Sequence, residues 1–169
     1  IDIVERQLEC AACLGVDTVT LKLQAEGEDA WHNARELVKL LRGTAEHHRV
    51  FLGVENSSGG LLSRPDQLRD FIDSFWGQWV GACLDMQRVP ASEQLEDWIH
   101  ILRAQVRRIQ LSPGNQREFE WPSVRRELRE IGYAGWVNLN ATGLFPPDAA
   151  LENAPTALRD CAAMLEAVS

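Results

Sequence analysis

The chain has 169 residues, 45% of them hydrophobic and 25% charged, which is the composition of one ordinary folded domain with a single core. No apolar run approaches the roughly 20 residues of a membrane span, so a membrane partner is not expected. A formal net charge of −8 argues against a surface built for phosphate backbones and leaves nucleic acid as an unexpected partner.

Taken in order, Glu5 to Leu14 reads as a helix closed by Gly15, because a glycine just past the last turn can adopt the left-handed backbone of a helix end. Cys10 and Cys13 lie in this pattern with C-x-x-C spacing. Without a second pair for zinc or the flanks of a redox motif, they read as small buried hydrophobes. Thr18 to Leu23 is rich in β-branched residues and reads as a strand, and Asp29 to His48 as a helix with Ala34, Leu37, Val38, Leu40 and Leu41 at helical spacing. The apolar run Val50 to Val54 follows as a strand, then a Ser-Gly loop from Ser57 to Gly60 and a helix from Pro65 to Phe75.

The alternation continues with strands over Val80 to Leu84, Val106 to Leu111 and Trp136 to Leu139, and helices over Ser92 to Leu102, Pro122 to Ile131 and Ala149 to Ala167. Strands separated by helices, about one unit every 25 to 30 residues, imply parallel βα units in a barrel or a doubly wound sheet. Neither G-x-G-x-x-G nor G-x-x-x-x-G-K-[ST] occurs, which removes the usual nucleotide-binding signatures. Polar residues do recur at the strand ends: Glu55-Asn56, Asp85, Gln110 and Asn140. Barrel enzymes build their sites on that rim, so a barrel is the preferred architecture.

These strand ends resemble the xylose isomerase-like TIM barrels, a family that includes sugar isomerases and epimerases, inosose dehydratase and endonuclease IV. Ala11 to Asp17 is similar to the family's A-x-x-L-G segment before strand four, and V-F-L-G-V-E-N, Val50 to Asn56, to its fifth strand. Val80 to Asp85 is similar to the sixth, which reads L-D-x-x-H; Ile109-Gln110-Leu111 takes the place of v-H-l in the seventh, and Gly132 to Asn140 of G-Y-x-G-x-x-x-x-E in the eighth. The resemblance implies an α/β fold, a partial (β/α)8 TIM barrel of about five parallel strands alternating with helices. Residues 1–169 would be its C-terminal portion, a single domain lacking the first three βα units. A missing N-terminal half or a partner chain would then be needed to close the barrel.

In the metal-dependent members the resemblance places a dication on two glutamates, an aspartate and a histidine. Carried over, Glu55 and Asp85 are remnant metal ligands, while Gln110 stands at the histidine position and Asn140 at that of the last glutamate. Lys22 is expected to point inward, and Arg88 replaces the histidine of L-D-x-x-H. Two carboxylates beside two cations satisfy one another without an ion. No cofactor is expected, beyond a weakly held Mg²⁺ or Mn²⁺ on the amide oxygens.

The leading expectation is a sugar isomerase/epimerase-like barrel with an eroded divalent-metal site that binds a small sugar or polyol weakly, as a non-catalytic relative. Asn56, Gln110, Asn138 and Asn140 would contact the ligand. An alternative is an active isomerase or epimerase with Glu55, Lys22 and Arg88 as the catalytic group. A third is a structural or assembly subunit with its rim filled by its own side chains. A cytoplasmic location is expected. His32, His47, His48 and His100 read as solvated helix residues, Trp121 and Trp136 as packing residues, and Arg103, Arg107 and Arg108 as a solvated edge and not a phosphate site.

Overall fold

A computed structural model describes residues 1–24, 27–76, 78–111 and 120–139. Asn140, Cys161 and the helix expected over Ala149 to Ala167 lie outside the described residues.

Five helices and five strands alternate: α1 (Asp2–Cys13), β1 (Thr18–Leu21), α2 (Ala30–His48), β2 (Phe51–Glu55), α3 (Pro65–Asp73), β3 (Val80–Asp85), α4 (Leu95–Leu102), β4 (Val106–Leu111), α5 (Trp121–Glu130) and β5 (Trp136–Leu139). The strands form one parallel sheet in the order β1-β2-β3-β4-β5. Each strand therefore pairs with the next in sequence, the connectivity of consecutive units in a (β/α) barrel. Among the described residues no helix is long and apolar enough to cross a membrane.

The two faces of this sheet differ. On the outer face Leu52, Val54, Ala82, Leu84, Ile109 and Leu111 are buried against Val38 and Leu41 of α2, Leu68 and Phe71 of α3, Trp98 and Leu102 of α4, and Val124 and Leu128 of α5 in a continuous apolar cluster. Burial of a large side chain such as Trp98 or Phe71 contributes about 1.5–3 kcal/mol each. The inner face carries Thr18, Gly53, Glu55, Cys83 and Asp85. Gly53 is required here, because a Cβ at this position would collide with Cys83 Sγ and stand 2.9 Å from Thr18 Cγ2.

Four sequence expectations are corrected. α1 packs through Val4, Leu8 and Ala11, and Cys10 and Cys13 fall two residues off that stripe and are exposed; only Cys83 among the described cysteines is buried. Leu40 points away from the stripe of α2 and is exposed, and Trp136, which begins the edge strand β5, is 65% exposed instead of packed. Trp121 does pack against the core.

The fourth correction concerns Arg107 and Arg108. Ala82 pairs with Val106 but Cys83 pairs with Arg108, so the β3–β4 register shifts by one residue. Such a bulge breaks the strict in-out alternation of side chains. Arg107 stacks its guanidinium 4.1 Å above the Phe51 ring, and Arg108 reaches Thr20 on β1. Both arginines face the concave interior, not a solvated edge.

Candidate functional site

Glu55 ends β2 and Asp85 ends β3, and both are buried, with 4% and 5% of their surfaces exposed. The strand ends bring them together because β2 and β3 are in register, with Glu55 opposite Cys83. Asn56 fixes their relation: its Nδ2 donates to Asp85 O at 3.1 Å, and its Oδ1 accepts from Asp85 N–H at 2.7 Å. Both polar ends of that amide are thereby used on backbone, so Asn56 sets the position of Asp85.

Asp85 in turn organises the chain that follows. Its Oδ1 accepts from Gln87 N–H at 3.0 Å, capping the short 3₁₀ turn Met86–Arg88. That turn folds Arg88 back over the carboxylates, where its Nε lies 2.9 Å from Glu55 Oε1 and 3.4 Å from Asp85 Oδ2. Lys22, one residue past β1, places Nζ 3.4 Å from the same Glu55 oxygen. Gln110 on β4 donates through Nε2 to Asp85 Oδ2 at 3.2 Å.

Burial perturbs the Glu55 carboxyl, pushing it above the ordinary value of 4.5 against the opposing pull of Lys22 and then Arg88. Its Oε1 lies at ion-pair distance from both cations.

A cavity of about 500 Å³ opens beside it, bounded by Lys22, Glu55, Asn56, Arg88 and the loop from Ser57 to Leu61. The loop is ordered by its own bonds, Ser57 Oγ to Gly59 O at 2.8 Å and Ser63 Oγ to Gly60 O at 3.0 Å, and is anchored by the fully buried Leu62. The volume lies in the range of small-molecule sites.

Of the residues expected at the site, Lys22, Glu55, Asn56, Asp85, Arg88 and Gln110 are gathered at this rim. Asn138 is opposite Gln110 in the register of β4 and β5, yet it faces a different cavity, of about 400 Å³. With its amide oxygen turned toward Arg108, it accepts from Nε at 2.8 Å and Nη2 at 2.6 Å. Arg108 also donates through Nη1 to Thr20 Oγ1 at 3.1 Å. Sequence reasoning missed this Thr20–Arg108–Asn138 chain, because nothing in the local pattern signals the bulge that turns Arg108 inward. Asn140 lies outside the described residues.

The fold and rim define a class. The family model described as xylose isomerase-like TIM barrel matches residues 1–161, and this chain belongs to that family. Among solved structures it is similar to D-psicose 3-epimerase from Clostridium cellulolyticum H10, at 17% identity and TM-score 0.71, over 82% of this chain and 54% of that one. It is also similar to the 3-keto-D-glucoside 4-epimerase YcjR from E. coli, at 13% identity and TM-score 0.77, over 96% and 69%. A third is the IOLI protein with a bound zinc atom, at 16% identity and TM-score 0.71, over 98% and 67%. At these identities the likeness is one of fold, and the chain spans about half to two-thirds of the length of these neighbours. A comparison with curated proteins found no match.

Proposed function

We propose that the rim pocket binds a small sugar or polyol weakly, as a non-catalytic relative of the sugar epimerases, with its own side chains in place of a divalent ion. The observation that carries this reading is the position of Arg88 Nε, 2.9 Å from Glu55 and 3.4 Å from Asp85. The two carboxylates are charge-compensated by Arg88 and Lys22, and Gln110 turns its NH₂, not its oxygen, toward Asp85. Among the described residues no group of three or more His, Cys, Asp or Glu is gathered. These residues do not fit a resident dication, since a metal on Asp85 would have to displace a guanidinium and an amide donor.

A sugar suits what is left. Glu55, Asn56, Lys22 and Arg88 line the cavity, and Arg88 and Lys22 can donate to sugar hydroxyls. The open cavity favours a binding role over an assembly subunit with a self-filled rim. The strands that would close the barrel we assign to another part of the protein or to a partner chain.

Titration calorimetry with D-tagatose and D-fructose, in EDTA and in Mn²⁺, tests the reading. Weak binding that is the same in both and lost on Arg88→Ala supports it. Stoichiometric Mn²⁺ or Zn²⁺ bound through Asp85 would overturn it.

One observation favours a second reading, an active isomerase or epimerase. Glu55 is buried, faces the cavity and has its carboxyl raised, as a group that accepts and returns a proton requires. Glu55→Gln separates the two: an enzyme loses turnover, whereas a binder retains its ligand.

A further inference from the structure

Beneath the rim pocket the concave face carries a second polar layer, in which Thr20, Cys83, Arg108 and Asn138 are joined by hydrogen bonds. We propose that Arg108 is a positioning residue for the rim: it ties β1 to β4 and β5 across the concave face and so sets the width of the rim pocket. The effect on ligand choice rests on the sugar-binding reading above, whereas the effect on rim geometry stands without it.

The tie joins strands that the backbone ladder does not. β2 and β3 stand between β1 and β4 in the sheet, so ladder hydrogen bonds fix the spacing of neighbours but not the bend that carries β1 toward β4. Arg108, on β4, donates through Nη1 to Thr20 Oγ1 on β1 at 3.1 Å. Through Nε and Nη2 it grips the Asn138 amide oxygen on β5 at 2.8 and 2.6 Å. Thr20 is held in turn, because its hydroxyl donates to Cys83 Sγ on β3 at 3.6 Å. That sulfur occupies the space over Gly53 of β2 that a Cβ would need. A guanidinium is a rigid planar fork, and with three nitrogens committed to β1 and β5 it acts as a spacer of fixed length.

The layer reaches the rim through strand periodicity. Side chains of a strand alternate between faces, so residues two apart share one. Thr20 lies two residues before Lys22, Cys83 two before Asp85 and Arg108 two before Gln110. Lys22 is paired with Glu55, and Gln110 donates to Asp85, so these two donors flank the carboxylates from opposite sides. A change in the separation of β1 from β4 therefore moves them apart or together.

Crystal structures and calorimetry of the intact chain test this. In Arg108→Met, which keeps the length of the side chain without its donors, the Lys22–Gln110 separation should change by about 1 Å or more. Thr20→Val, a milder change that removes one end of the tie, should do the same, and Thr20→Ser should keep the unaltered geometry. Arg108→Lys should behave like Arg108→Met, because a point donor cannot hold both partners. The ratio of affinities for a six-carbon and a five-carbon ketose, D-fructose and D-ribulose, should move with the separation by about threefold or more. Leu128→Ala, in the buried stripe of α5, destabilises the fold away from this layer and should leave both readouts unchanged. If the unaltered chain binds neither sugar, the sugar reading fails while the structures still decide the role of Arg108. A separation unchanged in Arg108→Met and Thr20→Val, or changed equally in Leu128→Ala, would overturn the proposal.

Discussion

Arg88 lies against Glu55 with Nε 2.9 Å from Oε1, and a three-residue turn capped by Asp85 holds it there. One side chain thus compensates carboxylates at the ends of two neighbouring strands. Arg88→His restores an imidazole at the position where the family's L-D-x-x-H motif carries one, and it removes the fixed cation. We expect Mn²⁺ affinity to rise at least about tenfold, the scale of removing one positive charge near a site of intermediate dielectric. Calorimetry and Mn²⁺ electron paramagnetic resonance would read it. Equal affinity in the unaltered protein would refute the claim that Arg88 holds the cation's place.

Glu55 makes stability depend on pH in a defined direction. Its folded carboxyl sits above the ordinary 4.5 because of burial, so the native state binds the proton more tightly than the unfolded chain. The associated stability is fully present below 4.5 and is lost as pH rises through the folded value. Glu55→Gln removes this dependence. Urea unfolding of both proteins from acid to neutral pH should show the unaltered chain losing ground to the variant as pH rises, and a difference that does not vary with pH would contradict the assignment.

Gly53 has no space for a methyl group, since its Cβ would meet Cys83 Sγ and Thr18 Cγ2. Gly53→Ala should destabilise the fold by about 1–3 kcal/mol, as overpacking of a rigid core does. Adding Cys83→Ala removes the nearest obstructing atom and should recover part of the loss. Chemical denaturation of the single and double variants measures the coupling.

The cysteines divide by burial. Cys83 is enclosed, and burial pushes its thiol up to about 11, whereas Cys10 and Cys13 are exposed. Near neutral pH an alkylating reagent should label Cys10 and Cys13 in the native protein and reach Cys83 only after unfolding. Rapid native labelling of Cys83 would show that the inner face opens.

Much of this protein is legible in its sequence. Hydrophobic periodicity located all ten described helices and strands, because burying one helical stripe or one apolar strand is a local pattern requirement. Glu55, Asp85 and Lys22 were legible as a group because parallel βα units bring strand ends to one rim, and Arg88 because the family resemblance places it at the histidine of L-D-x-x-H. The folding of Arg88 onto both carboxylates, the use of Asn56 on Asp85 backbone, the separation of Asn138 from the rim and the inward turn of Arg107 and Arg108 were decided by tertiary structure. Each depends on inter-strand register and on which neighbour a side chain meets, and a one-residue bulge between β3 and β4 changes the facing of side chains without any local mark in the chain.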